Sequence, residues 1–267
     1  MKKIIRKWAI RISATVILCV ALLLTFVMNP SLLYAHETVQ GNFRIHHQKP
    51  LDPLWFARID QASALLKNSE LYDDSSSSMN ICLNDGSKYP ALLAFLQGSA
   101  FGRGFHNKIV LHGVHDVGAN FNQWHERRWN LTQLIAHEAV HCLQFNKYGL
   151  WKSRPIANIP NWKWEGYPEY ISRQNIDQLS LTLNINRLQG KESSDDHSWI
   201  DYEDGTGSSL MYFKYWLLVK YCIEVRQMSF DSLIKDSTDH DQLWKEMMNW
   251  HSDQKRITGQ VSHKNSH

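Results

Sequence analysis

The central stretch of the chain reads Leu131-Thr-Gln-Leu-Ile-Ala-His137-Glu138-Ala-Val-His141-Cys-Leu-Gln-Phe145. Its apolar residues recur at helical spacing and Gly149 is a natural stop, so the pattern predicts a helix of about five turns. His137 and His141 are four residues apart and therefore lie one turn apart on the same face. Both imidazoles can bind one zinc ion, and Glu138 between them can reach a water that the metal activates.

An acidic pair follows in Trp162-Lys-Trp-Glu165-Gly-Tyr-Pro-Glu169-Tyr170. Glu165 and Glu169 are again one turn apart, on a second predicted helix of about 164–173. A zinc site with two His needs a third protein ligand, and Glu165 follows His141 at a distance that permits an antiparallel return. Glu169 can then hydrogen-bond a ligand His from behind. The alternative is a pair of surface glutamates, although bare charges among Trp, Tyr and Pro are costly.

Together the two segments resemble the gluzincin metallopeptidases, the clan of thermolysin and the zinc aminopeptidases. The second segment is similar to the aminopeptidase-type pattern Trp-x-Asn-Glu-Gly-x-x-Glu, with Trp164 where that family has Asn. The resemblance implies that His137, His141 and Glu165 bind zinc and that Glu138 is the general base. It also implies that the cofactor is Zn²⁺, that the substrate is a peptide or protein, and that the reaction is hydrolysis of the peptide bond.

A third segment, Tyr202-Glu-Asp-Gly205, precedes a predicted apolar helix of about 207–225. In the aminopeptidase-type enzymes a Tyr-Glu-x-Gly segment opens the corresponding helix, and its hydroxyl donates to the oxyanion. The resemblance therefore implies a catalytic role for Tyr202, against the alternative of a loop tyrosine at a helix start. His197 is the second candidate, since a His has this role in thermolysin-like enzymes. The Gly-x-Met-Glu-Asn segment that holds a substrate's free amine in zinc aminopeptidases is absent, so aminopeptidase action is not implied.

Short strand patterns precede helical ones, which predicts an α+β fold: a small sheet with an edge strand over a mainly helical, zincin-like catalytic domain. This domain is predicted at 51–252, after a linker at 36–50 and before a flexible tail at 253–267. Lys108–His112 alternates as a strand, and we expect it to lie along the cleft and pair with an extended peptide. The alternative for this segment is an ordinary sheet strand.

Residues 1–35 differ from the rest of the chain. Basic residues come first, an uncharged run from Ile12 to Met28 follows, and Asn29-Pro30 then ends any helix. This pattern is typical of a secretory signal peptide or a membrane anchor, and both cleavage after Ala35 and retention stay open. In either case the pattern predicts export, with the body in the periplasm, outside the cell or on the outer side of the membrane.

The net charge belongs to this leader. The chain has 29 Lys plus Arg and 26 Asp plus Glu, a formal charge of +3. Five of the basic residues lie in the leader, so the body has 24 basic against 26 acidic residues and a charge of −2. Because Lys and Arg are scattered there, we expect no nucleic-acid partner. The short cluster Glu126-Arg127-Arg128 is interpreted as the solvated start of a helix.

Three of the four Cys lie in the body, at Cys82, Cys142 and Cys222. At most one intrachain disulfide is possible among them, and pairing of Cys142 with Cys222 or Cys82 stays open. Cys142 follows a candidate ligand but turns away from it by about 100°, which favours a buried packing thiol.

Two further functions compete with a peptidase. One is a non-enzymatic exported module on a zincin scaffold that binds zinc or interacts with the cell envelope. The other uses the ten Trp of the body as a platform for glycan, although Trp residues more often belong to a core or its rim. The oligomeric state is not predicted by the sequence.

Overall fold

The computed structural model describes residues 2–73, 78–191 and 198–264. Over these residues the chain is a mixed helix and sheet structure, so the predicted α+β class is confirmed. The helices are α1 (Lys2–Met28), α2 (Leu54–Leu66), α3 (Tyr89–Gln97), α4 (Leu131–Tyr148), α5 (Asn161–Ser172), α6 (Leu181–Gln189), α7 (Leu210–Glu224), α8 (Phe230–Lys235) and α9 (His240–Lys264). The strands are β1 (His36–Gln40), β2 (Phe43–His47), β3 (Met79–Cys82), β4 (Gly102–Phe105), β5 (Lys108–Leu111), β6 (Val114–Asp116), β7 (Phe121–Trp124), β8 (Arg127–Asn130), β9 (Trp199–Asp201) and β10 (Gly207–Ser209).

The largest sheet has the strand order β1-β2-β3-β5-β4. Strands β2, β3 and β5 are parallel, whereas β1 and β4 pair antiparallel at the two edges. Strand β5 therefore lies inside the sheet, which confirms the interpretation of Lys108–His112 as an ordinary sheet strand. The prediction that this segment lies along the cleft to pair with a peptide is wrong. Strand β4, one of the two edge strands, has the sequence Gly-Arg-Gly-Phe, which has little of the β-branched character that marks a strand.

One face of this sheet forms the main core with α2 and α4. Ile45, Ile81 and Ile109 come from three neighbouring strands and are fully buried. Helix α4 is buried along fourteen consecutive residues, from Leu131 to Gln144. The candidate histidines therefore lie on a helix that is surrounded by protein, which fixes their position.

Residues 36–50 are not a linker. They contain β1 and β2, joined at Gly41 with a φ of +55°, and Phe43 and Ile45 belong to the core. The expected helix start at Glu126–Arg128 is wrong as well, because Arg127 and Arg128 lie in β8. Strands β6, β7 and β8 form a separate antiparallel sheet, and β9 pairs with β10.

The carboxy-terminal segment is more helical than its polar sequence suggests. Helix α9 continues to Lys264, so most of the predicted flexible tail is helix, and residues 265–267 lie outside the described part of the chain. The helix is held by Leu243 and Met247, which are fully buried in the core. No proline interrupts the polar turns that follow, so the helix can extend past its anchored part.

The leader forms α1, whose segment Ile5–Met28 has 24 residues and is long and apolar enough to cross a membrane. The end of this helix and the residues that follow it pack on the outer face of the large sheet. There the Tyr89 hydroxyl donates to the Val27 carbonyl at 2.8 Å, and the Ser87 hydroxyl donates to the Leu33 carbonyl at 2.8 Å. The Tyr34 hydroxyl in turn donates to the Leu83 carbonyl at 2.9 Å.

All four cysteines lie in the described part of the chain and are free thiols. Cys142 is fully buried and its Sγ lies 3.5 Å from the Lys108 carbonyl oxygen. The expected packing role of Cys142 is thus confirmed, and its possible disulfides do not form.

Candidate metal centre

Helix α4 begins and ends at residues that satisfy its terminal backbone groups. The Asn130 side chain accepts a hydrogen bond from the Gln133 N–H, which caps the first turn. Gly149 ends the helix with a φ of +71°, a backbone conformation that glycine adopts without strain. His137 and His141 lie in the middle turns, away from both ends.

Helix α5 carries Glu165 and Glu169 and packs against both α4 and α7. Its packing against α7 fixes where these two carboxylates meet α4. A Cβ on Gly166 would lie 2.6 Å from the Tyr215 carbonyl oxygen and 2.6 Å from Val219 Cγ2. Only glycine fits at this crossing, and the crossing sets the position of Glu165, the residue before it.

Three ligand atoms converge between the two helices. Glu165 Oε2 lies 3.2 Å from His141 Nε2 and 3.7 Å from His137 Nε2. Ligand atoms held tetrahedrally at zinc–ligand distances of 2.0–2.2 Å are about 3.4 Å apart, which these separations bracket. His137, Glu138 and His141 also offer ligand atoms within 4.8 Å of one another. The residues present therefore fit a zinc ion bound by two imidazoles and a carboxylate.

The back of His137 faces a buried ion pair. His137 Nδ1 lies 3.3 Å from Glu169 Oε1, and the other oxygen of Glu169 pairs with Arg173 Nε. Glu169 and Arg173 are both fully buried. This carboxylate orients the imidazole so that Nε2 points to Glu165, as carboxylates behind metal-bound histidines do.

The charge of Arg173 is enclosed by aromatic rings. Its guanidinium carbon lies 5.7 Å from the Trp129 ring, 5.2 Å from the Tyr202 ring and 5.7 Å from the Trp216 ring. Cation–π contacts of this kind stabilise a desolvated guanidinium. Sequence reasoning missed Arg173, although its position four residues after Glu169 is the spacing of a helical ion pair.

The Nδ1 side of the His141 ring is held by the side-chain amide of Gln144. His141 Nδ1 lies 2.8 Å from Gln144 Oε1, which fits an Nδ1–H that donates to the amide oxygen. Gln144 Nε2 donates to the Trp164 carbonyl at 3.0 Å, so the amide is fixed from α5. In both histidines Nδ1 therefore faces a supporting side chain and Nε2 faces Glu165, the orientation that lets Nε2 bind a metal.

The charges of the cluster shift its pKa values. Burial opposes the charged form of His137, but the hydrogen-bonded carboxylates of Glu165 and Glu169 outweigh it and raise its pKa to about 10. Burial likewise opposes the charged form of Glu165, and the two histidines outweigh it and lower its pKa. Burial raises the pKa of Glu138, and the positive charges of the two histidines offset this increase only in part. Glu138 therefore holds a proton more readily than Glu165 does.

Glu138 lies directly under the edge strand. A Cβ on Gly102 would come within 2.8 Å of Glu138 Oε1, and a Cβ on Gly104 would meet the backbone of Glu138. The two glycines of β4 therefore let the free edge of the sheet approach the residue that follows His137. The role of Gly102 and Gly104 was not predicted from the sequence.

The tyrosine that faces this cluster is Tyr212 rather than Tyr202. The Tyr202 ring lies against the guanidinium groups of Arg173 and Arg187, behind the Glu169 carboxylate. The Tyr212 ring lies 6.2 Å from the His137 ring, and its pKa is raised well above the usual value, first by the charge of Glu165 and then by burial. Sequence reasoning missed Tyr212, although it lies in the first turn of α7, the apolar helix that follows Tyr202 in the chain.

The structure thus brings together five of the residues that the sequence singled out, His137, Glu138, His141, Glu165 and Glu169. Tyr202 lies beside Arg173, and the alternative candidate His197 lies outside the described residues. Comparison with known proteins adds no assignment: no model of a protein family matches this chain, and no curated protein matches it.

Proposed function

We propose that this protein is a zinc-dependent peptidase. One observation carries the proposal: Glu165 Oε2 lies 3.2 Å from His141 Nε2 and 3.7 Å from His137 Nε2, with the Glu138 carboxylate beside the two histidines. Three protein ligands that leave a fourth position open are typical of catalytic rather than structural zinc sites. The resemblance of these segments to the gluzincin metallopeptidases supports the same reaction.

The residues around the ligands have separate roles in this proposal. When bound, zinc supplies a more acidic water and a Lewis acid for the scissile carbonyl. Glu138 accepts the proton of the attacking water and returns it to the leaving amine, for which its raised pKa suits it. The Tyr212 hydroxyl donates a hydrogen bond to the oxygen on which negative charge develops. The free edge of β4 pairs with the backbone of an extended substrate next to Glu138.

The variant Glu138→Gln tests this proposal. It replaces the base by an amide of the same shape, so we expect the purified full-length protein to keep zinc and fold but lose cleavage of a peptide library. Glu126→Gln is the matched control, because Glu126 is exposed and lies in the turn between β7 and β8. Full activity of Glu138→Gln on a peptide that the wild type cleaves would refute the mechanism. Zinc binding without cleavage by the wild type would favour the non-enzymatic module instead.

The proposed location follows from α1. An amino-terminal helix of this length and composition is compatible with export, and we propose that the body lies on the outer side of a membrane. We infer further that the leader is retained. Cleavage after Ala35 would remove the carbonyls of Val27 and Leu33 that accept hydrogen bonds from the body. It would also remove the side chains of Val27, Leu33 and Tyr34, which pack on a fully buried cluster of Cys82, Tyr89, Leu93 and Val110.

The mass of the mature protein distinguishes retention from cleavage. A carboxy-terminally tagged full chain is expected in the membrane fraction after alkaline extraction, with residues 1–35 present in its intact mass. External protease should reach the body in intact cells, because the basic end of the leader stays inside. A mature amino terminus at His36 would contradict the inference.

A further inference from the structure

We propose that Phe101, Trp124 and Trp199 form a subsite, here called the aromatic wall, that binds an aromatic side chain of the substrate next to the scissile bond. The inference rests on the proposed peptidase function and deepens it by naming a substrate class. Three independent observations carry it: the place of the wall beside Glu138, the arrangement of its rings, and their exposure.

The aromatic wall begins at Phe101, one residue before the glycine that contacts the proposed base Glu138. Phe101 precedes Gly102, whose backbone lies against the Glu138 carboxylate. Behind Phe101, the Trp129 ring lies 5.5 Å from it and 5.6 Å from the His137 ring. A substrate backbone paired with β4 at Glu138 therefore carries a neighbouring side chain to Phe101.

The rings of the wall meet in the geometries that aromatic side chains prefer. The Phe101 ring is stacked with the Trp199 ring at 5.8 Å and 27°. It meets the Trp124 ring edge to face at 5.7 Å and 82°. Offset-stacked and edge-to-face arrangements stabilise aromatic pairs beyond the burial of area, so an added aromatic ring would be favoured at this cluster.

The two Trp residues of the wall lie outside the packed core, and Phe101 packs against the edge of that core. Trp129 and Trp216 are buried, at 7% and 0% exposure, and belong to the main cluster. Trp124 and Trp199 are half-buried and belong to neither hydrophobic cluster of the described residues. They lie at the end of β7 and the start of β9, from two different sheets, and both meet the Phe101 ring.

Charge excludes basic side chains from this subsite. The Arg127 guanidinium lies 5.4 Å from the Trp199 ring and its residue is exposed. A Lys or Arg side chain at the wall would meet this charge, whereas an aromatic side chain would not. We therefore assign the subsite to Phe, Tyr or Trp of a peptide and not to a cationic residue.

The test compares two peptides that differ only in Phe or Ala beside the cleaved bond. We expect the wild type to cleave the Phe peptide with a kcat/KM at least about tenfold higher, the low end of side-chain discrimination by apolar pockets. Trp199→Ala and Trp124→Ala should remove this preference while cleavage of the Ala peptide persists. Trp151→Ala is the matched control, since Trp151 is 77% exposed and lies after α4, and it should keep the preference.

A binding measurement separates this inference from the proposed function. Calorimetric titration of zinc-loaded Glu138→Gln with the same two peptides should show tighter binding of the Phe peptide, and Trp199→Ala in that background should equalise them. Equal binding of the two peptides, or cleavage of both at the same rate, would overturn the proposed subsite without contradicting the proposed peptidase activity. Discrimination without cleavage by the wild type would support the subsite and overturn the peptidase. Tighter binding of a cell-wall glycan than of either peptide would overturn the peptide assignment of the wall.

Discussion

The carboxylate of Glu138 rests against the backbone of Gly102. A side chain at that position would place its Cβ within 2.8 Å of Oε1 and 2.9 Å of Cγ. The free edge of the large sheet and the proposed base are thus in contact, with no side chain between them. This contact links the strand that would hold a substrate to the group that would act on it.

Gly102→Ala should therefore disable the site without unfolding the protein. The added Cβ meets Oε1 and Cγ of a buried side chain and no backbone atom, so we expect Glu138 to shift at a loss of about 1–3 kcal/mol in unfolding free energy. A displaced base loses its alignment, and a misplacement of about 1 Å is expected to lower kcat/KM about 10²-fold. Peptide cleavage and urea unfolding measure the two effects. Gly118→Ala, whose Cβ would lie 3.5 Å from its nearest neighbour, should change neither.

Tyr212→Phe should lower kcat about 10²-fold, the cost of removing one oxyanion donor. Zinc content and KM should stay close to the wild-type values, because Tyr212 is not a proposed ligand. Tyr202→Phe is the comparison, since its ring lies beside Arg173 on the far side of Glu169. A larger loss of kcat in Tyr202→Phe than in Tyr212→Phe would restore the role that the sequence suggested for Tyr202.

Glu169→Gln should weaken both the fold and the metal site. It leaves the fully buried charge of Arg173 without its carboxylate, which costs about 3–5 kcal/mol in comparable buried pairs. It also removes the anion behind His137, and zinc affinity should fall about 10–100-fold. Chemical unfolding and competition with a zinc chelator measure these losses. Glu37→Gln removes a half-exposed partner of Arg44 and should cost less than about 1 kcal/mol.

Gly166→Ala should push α5 away from α7. The new Cβ would meet the backbone at Tyr215, which cannot move aside, so a loss of about 1–3 kcal/mol is expected. The shift of Glu165 should lower zinc affinity, as measured by chelator competition. Gly190→Ala is the control, because its nearest neighbour would lie 3.5 Å away and its φ is −68°. Unchanged zinc affinity in Gly166→Ala would show that the helix crossing does not position the ligand.

The stability of the chelator-treated protein should depend on pH through His137. Its folded pKa of about 10 is above the usual unfolded value near 6.5, so its charge stabilises the fold fully below about pH 6.5. This stabilisation is lost as pH rises toward 10, and the free energy of unfolding should fall over that window. The lowered pKa of Glu165 acts only below its usual value of 4.5 and does not change this slope. Urea unfolding at several pH values measures it, and Glu165→Gln should flatten the dependence.

The residues of the candidate site were predictable because they depend on local geometry. Spacings of four residues on a helix place His137 beside His141 and Glu165 near Glu169 whatever the tertiary fold is. The choice between Tyr202 and Tyr212 was not predictable in this way. It depends on how α7 packs on α5, and that contact joins segments far apart in sequence.

The strands were harder to predict than the helices. Strands β1 and β2 follow directly on the leader and are only five residues each, too short for alternation to distinguish them from a linker. Strand β4 contains two glycines, which weaken a strand pattern, and they are there because Glu138 leaves no room for a Cβ. Strand β4 pairs with β5 in a local hairpin. Its edge position follows from the nonlocal pairing of β5 with β3 on the other side, which no local pattern contains.

If the leader is retained as proposed, the hydrogen bonds that join Val27 and Leu33 to the body would have a consequence for encounter with a substrate. A catalytic domain on a long flexible linker would reach many positions above the membrane surface. A retained leader that packs against the sheet would instead hold this domain at one height and in one orientation relative to the membrane. Substrates would then have to enter a thin layer of space above the bilayer. Lateral diffusion in the membrane plane, rather than the swing of a linker, would bring the protein to its targets.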